Sequence, residues 1–253
     1  MPPLEDLDQI EDDDLAELYA YPADLDRPWV RANFVSTLDG AASGADGRSG
    51  SINNDADKRV FALLRSLADV VLVGAGTART EAYRPVRTRE VWRELRARMG
   101  LVPAPTLAIV SRSLDLPPGA LEPVEGGGPV LVLTSGQADA GRLAIIRDAL
   151  GADAIVTAGN DSVDLAAAVD QLGERGLSRM LCEGGPRLMS DLVAAGRLDE
   201  LCLTIAPLLV GGDAPRITVG GPLDLQLRLG HVVESRGVLL TRWLHGREHD
   251  PNG

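Results

Sequence analysis

The run CEGGPRLM, from Cys182, puts an acid, two glycines and a proline where a chain leaves a strand and starts a helix. Pro186 suits a first helical turn, where its missing N–H costs nothing. The free amides of such a helix start attract an anion such as a pyrophosphate. Glu183 would repel a phosphate, so it is expected to face another part of a ligand, unless it is a solvated loop acid. In VLVGAGTAR, Gly74 and Gly76 let a backbone approach a ligand and Thr77 adds a hydroxyl. A dinucleotide fingerprint would need a third glycine where Arg79 stands, so the run also fits an ordinary strand-to-helix turn. Ser111-Arg112-Ser113 offers a bidentate cation between two hydroxyls, which suits a ribose phosphate or simply an exposed loop. STLDG ends on Asp39 and leads into a glycine-rich loop carrying Ser49 and Ser51.

All four clusters end an apolar run, and ligands in open α/β sheets bind at the carboxyl ends of strands. WVRANFVST, VVLVG, TLAIV, VLVLT, AIVTAG, RMLC and LCLTIAP read as strands, most of them apolar enough to be buried on both faces. Helical spacing covers 55–68, 88–99, 139–150, 165–175 and 187–195. Strands without an intervening helix follow Pro207. The pattern predicts a three-layer α/β fold, with a mixed, mostly parallel sheet and an antiparallel C-terminal edge. Residues 29–253 read as a single domain.

Of the net charge of −12, residues 1–28 carry −9, from ten acids against Arg27, which leaves −3 for the remaining 225 residues. Residues 1–28 are therefore expected to be an acidic arm, dispensable for cofactor binding, although Leu15, Leu18 and Tyr19 could dock it on the body. An acidic chain repels phosphate backbones, which argues against nucleic acid as a partner. No run is long and apolar enough to span a membrane and no secretory signal is visible, so a cytoplasmic protein is expected. Lys58 is the sole lysine beside 24 arginines, which removes most Schiff-base mechanisms. Cys182 and Cys202 read as buried thiols. His245 and His249 are four apart, but no other ligand accompanies them, so no metal is expected.

Taken in order, RPWVRANFVSTLDG, ALLRSLADVVLVGAGTARTE, IVSRSLDLP, CEGGPRLMSDLVAAGRLDEL and IAPLLVGG resemble the reductase domain of bacterial riboflavin biosynthesis, which has the dihydrofolate reductase fold. The resemblance runs from about Arg27 to the C-terminus. It implies an NADPH-dependent oxidoreductase, commonly a homodimer, acting on 5-amino-6-ribosylaminouracil 5′-phosphate or a pteridine-like heterocycle. It places Val35, Thr77, Glu81, Ser111 and Gly184, Gly185, Pro186, Arg187 and Leu188 against the cofactor, and Gly159 and Arg112 are expected on the same side. It places Asp39, Ser49, Arg65, Arg87 and Glu183 against the substrate. Arg65 and Arg87 suit a phosphate and Glu183 the N–H edge of a heterocycle. Asp39 and Glu183 are the expected catalytic pair, orienting the ring and relaying a proton.

The zinc deaminase elements H-x-E and P-C-x-x-C are missing from this sequence, which removes deamination. Asn33 stands where relatives often have lysine. By strand alternation it shares a face with Thr37, which puts it near the substrate. A neutral amide there predicts weak turnover of the phosphorylated pyrimidine and leaves dihydrofolate open as a substrate. A nucleotide-binding sensor without catalysis is the rival outside enzymes.

Overall fold

The computed structural model describes residues 4–246. Ten strands form one sheet: β1 (Glu5–Asp6), β2 (Trp29–Thr37), β3 (Val70–Gly74), β4 (Thr106–Val110), β5 (Val130–Thr134), β6 (Ile155–Thr157), β7 (Arg179–Cys182), β8 (Glu200–Ala206), β9 (Leu227–Ser235) and β10 (Val238–His245). Seven α-helices accompany them: α1 (Asp12–Leu18), α2 (Asp55–Leu67), α3 (Ala75–Thr80), α4 (Arg93–Arg98), α5 (Ala140–Leu150), α6 (Leu165–Glu174) and α7 (Pro186–Ala194). The strand order is β1-β9-β10-β8-β2-β7-β3-β4-β5-β6. Every pairing from β8 across to β6 is parallel, and β10 runs antiparallel to both β8 and β9. This is the mixed sheet with an antiparallel C-terminal edge that the strand pattern predicts.

The apolar strands separate two packing layers. Leu63, Leu64 and Leu67 of α2 pack on one face of the sheet with Val71, Val73 and Ile109. Leu165 and Leu172 of α6 and Leu188 and Leu192 of α7 cover the other face over Val70, Leu72 and Met180. A strand covered on both sides has no polar face, which is why these runs carry no alternation. Asn54 starts α2 by accepting the Asp57 N–H through its side chain, and Asp139 and Asp164 do the same for α5 and α6. The region expected to be helical over 88–99 is helical over most of that length, as a 3-10 turn at Glu90–Trp92 that runs into α4.

The boundary drawn at residue 28 is not a packing boundary. Leu7, Leu15, Tyr19 and Tyr21 are buried in the core under α2, and β1 pairs with β9 in parallel at the sheet edge. The high charge density of residues 1–28 hid this, because the acids point outward while a few apolar side chains point in. Ion pairs fasten the arm further: Arg59 to Asp12, Arg98 to Asp13, Arg236 to Asp8 and Arg27 to Asp199. The Arg59 guanidinium also donates to the carbonyls of Leu7 and Ile10.

Near residues 19–21 lies a buried ionic cluster. Glu200, at the start of β8, accepts from Arg31 at 2.7 Å and from Arg242 at 2.8 Å. Arg31 also donates to the Tyr19 carbonyl and stacks 4.0 Å from the Tyr21 ring centroid. Arg242 donates to the carbonyls of Leu18 and Ala20. Burial works to raise the Glu200 carboxyl, but the two guanidinium groups overcome it and hold it below the ordinary range. Both cysteines are buried free thiols, and burial raises their pKa values.

Candidate active site

A cavity of roughly 1080 Å³ opens at the carboxyl ends of β2, β3, β4 and β7. One wall is a stripe of α2: Asp57, Phe61 and Arg65, spaced four apart, with Lys58 beside Asp57. That spacing puts one face of the helix on the cavity while its leucines face the core. The far end of α2 is held by Arg96, whose buried guanidinium donates to the carbonyls of Ser66 and Ala68. Burial pulls this arginine down to about 10.

Arg65 reaches the centre of the cavity and grips Glu183, Nε to Oε1 and Nη2 to Oε2, both at 2.7 Å. The Tyr83 hydroxyl donates to Glu183 Oε2 at 2.7 Å as well. Burial pushes the Tyr83 phenol well above its ordinary range, and the neighbouring Glu183 charge adds to the rise. The Arg65 guanidinium lies 4.3 Å from the Phe61 ring centroid and 5.5 Å from that of Tyr83. Sequence reasoning placed Arg65 on a substrate phosphate, but here its charge is already matched by Glu183. Glu183 is 8% exposed and is not a solvated loop acid.

Asp57 is the acid that sequence reasoning missed. In the first turn of a helix an aspartate reads as a complement to the macrodipole, and nothing local marks it as more. It is 7% exposed and lines the cavity. Burial pushes its carboxyl above the ordinary range, and a hydrogen bond with Thr204, on β8, pulls the other way.

Asp39 does not line the cavity. Its Oδ2 accepts the backbone N–H groups of Val210, at 3.0 Å, and Gly211, at 2.7 Å, and Oδ1 meets the Thr37 hydroxyl. The Thr37 hydroxyl, followed by the Gly211 amide, holds this exposed carboxylate below its ordinary range. Asp39 therefore pins the loop after β8. Arg87 is exposed, bridged through its backbone to Gly127, and also stands outside the cavity.

The other expected residues divide as follows. Asn33, Val35, Ser49, Thr77, Glu81, Arg112, Gly185, Pro186, Arg187 and Leu188 all line the cavity. Glu81 accepts from both the backbone N–H and the hydroxyl of Ser49 at 3.2 Å, so a residue expected on the cofactor side touches one expected on the substrate side. Gly184 and Gly159 shape the backbone beside the cavity. The Gly184 carbonyl receives the Gly74 N–H at 2.7 Å, and Gly184 has φ +93°. Gly159, at φ +80°, turns the chain so that Ser162 and Val163 reach the cavity. Ser111 is buried behind Arg112, and its hydroxyl has no hydrogen-bond partner. The Gly184–Gly185 peptide is cis. A Cβ on Gly185 would come within 2.4 Å of the Thr77 hydroxyl, so that position requires glycine. Gly76, in contrast, faces open space on the cavity wall, where a ligand can lie against bare backbone.

His245 sits against the Leu198 carbonyl, and His249 lies outside the described residues.

Residues 28–240 match the model of the RibD C-terminal domain family. The chain belongs to that family. Its relatives include the 2,5-diamino-6-ribosylamino-4(3H)-pyrimidinone 5′-phosphate reductase of Methanothermobacter thermautotrophicus, 30% identical over 195 residues, which span 77% of this chain and 85% of the relative. The protein of the same name from Archaeoglobus fulgidus is 29% identical over 196 residues, spanning 77% and 87% of the two chains. Among solved structures, a pyrimidine reductase-like protein from Corynebacterium diphtheriae superposes with a TM-score of 0.74 at 25% identity, over 92% of this chain and 99% of that one. The motifs that placed the sequence near the riboflavin reductases are thus those of the RibD C-terminal domain. No helix of the described residues is long and apolar enough to cross a membrane.

Proposed function

We propose that this RibD-type domain is an NADPH-dependent reductase of a ribosylaminopyrimidine 5′-phosphate. The observation that carries the reading is one cavity that joins a dinucleotide-type wall to a heterocycle-type wall. The first comprises Gly74, Gly76 and Thr77, the start of α7 at Pro186, and Arg112. Its residues fit a nicotinamide dinucleotide: bare backbone at Gly76, free helix amides at Arg187 and Leu188, and the partnerless Ser111 hydroxyl behind the Arg112 cation. Arg112 would contact the phosphate that distinguishes NADPH from NADH.

When bound, the cofactor supplies a hydride. A carbon–nitrogen double bond that takes a hydride at carbon must also gain a proton at nitrogen. Asp57 is the acid placed to hold that proton, because burial favours its neutral form and it faces the cavity. The Arg65–Glu183–Tyr83 assembly keeps one carboxylate fixed in direction, ready to accept N–H groups from the heterocycle. Phe61 offers a ring face beside it. Asn33, next to this wall, contributes hydrogen bonds without charge. The relatives' names favour the phosphorylated pyrimidine, and no feature of the cavity speaks for dihydrofolate.

The test is NADPH oxidation with the ribosylaminopyrimidine phosphate for wild type and Asp57→Asn. Turnover by wild type, lost by roughly a hundredfold or more in Asp57→Asn with cofactor affinity unchanged, is the expected result. The buried carboxyl has a raised folded-state pKa, so the stability tied to its neutral form is lost as pH rises through that pKa. Asp57→Asn should therefore melt higher than wild type at neutral pH, and the gap should close in acid. Wild type that binds NADPH but oxidises it with no pyrimidine would return the chain to a sensor.

A further inference from the structure

Asp57 is held from two sides. Its backbone N–H donates to the Asn54 side chain at 2.9 Å, which fixes the first turn of α2. Its carboxyl shares a hydrogen bond with Thr204, on β8. Thr204 is 4% exposed and does not line the cavity, so it meets a ligand only through Asp57.

The surroundings hold this hydroxyl in place. β8 lies inside the sheet, where Thr204 pairs with Val35 of β2 in parallel and with Leu240 of β10 antiparallel. Strand alternation puts Thr204 on the same face as Cys202 and Ala206. Cys202 packs with the leucines of α2, and Ala206 packs with Val35 and Ile52. A β-branched side chain is stiff at χ1, so the hydroxyl has little freedom to turn away.

The charges around Asp57 are few. Burial raises its carboxyl, while the Thr204 hydrogen bond and then the charge of Lys58, next on α2, work against the rise. β2 presents the uncharged Asn33 and Val35 along the same wall, and α2 presents the Phe61 ring one turn on. Arg65, a further turn on, is occupied by Glu183. A neutral acid suits the moment before reaction. As a carbon–nitrogen double bond takes a hydride at carbon, its π pair takes the Asp57 proton at nitrogen, and a carboxylate is left in a buried place. Such a charge is costly without a hydrogen-bond donor. A hydroxyl can accept from the carboxyl O–H before transfer and donate to the carboxylate after it.

Resting on the reductase reading above, we propose that Thr204 is the positioning residue for Asp57. It directs the carboxyl into the cavity before proton transfer and supports the carboxylate afterwards. Its effect therefore falls on the chemical step rather than on binding.

Two experiments on the full chain test this. The first follows turnover of the ribosylaminopyrimidine phosphate against pH for wild type, Thr204→Val and Thr204→Ser. Thr204→Val removes the hydroxyl and nearly keeps the shape. Its kcat should fall by about ten- to a hundredfold with KM unchanged, the scale of a hydrogen bond to a charged group. The alkaline limb, where Asp57 loses its proton, should also move up by about one pH unit. Thr204→Ser should restore most of both. A kcat that falls equally at every pH with the limb unmoved, or no change at all, overturns the proposal. The second needs no turnover: carbon-13 NMR of labelled aspartate carboxyls across pH, with Asp57→Asn identifying the Asp57 signal. A midpoint that rises in Thr204→Val and returns in Thr204→Ser supports Thr204 as the partner that governs Asp57, even if the pyrimidine proves to be the wrong substrate. A midpoint indifferent to position 204 rejects the proposal, whatever the enzyme reduces.

Discussion

Two arginine–glutamate assemblies lie on either side of β2 in the same sheet. Glu200 with Arg31 and Arg242 sits where β8 begins, and Glu183 with Arg65 sits where β7 ends. Both are built from the same residue types at the same 2.7 to 2.8 Å separations. They differ in what surrounds them. Around Glu200, the carbonyls of Leu18, Tyr19 and Ala20 take up guanidinium donors and the Tyr21 ring covers Arg31. The side chains of Arg31 and Glu200 are completely buried. Around Glu183, one side opens to the cavity and the Arg65 side chain remains a quarter exposed. A sealed pair can only hold the fold together. A pair with an open side can meet a ligand, so access rather than the ionic contact separates a staple from a site.

The largest expected effect comes from breaking the sealed cluster. Glu200→Gln leaves two guanidinium groups buried around a neutral amide, and should cost about 3–5 kcal/mol of stability in denaturant unfolding. Turnover per folded molecule should change little. A small loss would mean that water already reaches the cluster.

Glu183→Gln should do the reverse. Arg65 can rehydrate through the cavity, so the stability loss should be smaller than at Glu200, while kcat/KM falls by on the order of a hundredfold through lost orientation. Comparable stability losses at positions 183 and 200, with activity retained at both, would erase the distinction between the two assemblies.

The smallest effect belongs to His231, which packs edge-on against Tyr19 with ring centroids 4.7 Å apart. Burial, with help from the Arg242 charge, lowers its pKa from 6.5 to about 4. Between those values the unfolded chain binds a proton that the folded chain refuses, so stability falls as pH falls through that window. His231→Phe should flatten this acid limb in melting curves taken from neutral pH downward. Parallel curves for the two proteins would show that His231 is not responsible.

The central strands were legible because burial on both faces leaves a continuous apolar run such as VVLVG, which nothing else in the chain imitates. Glycine-rich strand ends marked the cavity walls for the same reason, since bare backbone beside a strand has few other uses. Arg65 and Glu183 were each found as site residues, but their pairing was not, because it spans 118 positions and leaves no local trace. Asp57 was invisible as an acid that matters, since its burial and its hydrogen bond with Thr204, on β8, are set by residues far away in sequence. Asp39 shows the opposite case, a local signal with a long-range partner. An acid at a strand end beside a glycine-rich loop stood out in the sequence, but its bonds to the loop after β8, 171 and 172 positions away, did not.

The pairing of β1 with β9 joins Glu5 to Val233, across almost the whole length of the chain. On a ribosome, β1 is therefore made long before the β9 it pairs with. Leu7, Leu15 and Tyr19 can meet α2 early, but their cluster is complete only when Val233, Val238 and Leu240 of β9 and β10 emerge. The entropic penalty of closing so long a loop grows only logarithmically with its length, so the delay is kinetic rather than a matter of final stability. Ten acidic side chains in that waiting segment keep it repelled from its own kind during the interval. The charge that made residues 1–28 look like a detachable arm is thus suited to protecting a segment of the core that is synthesised long before its partners.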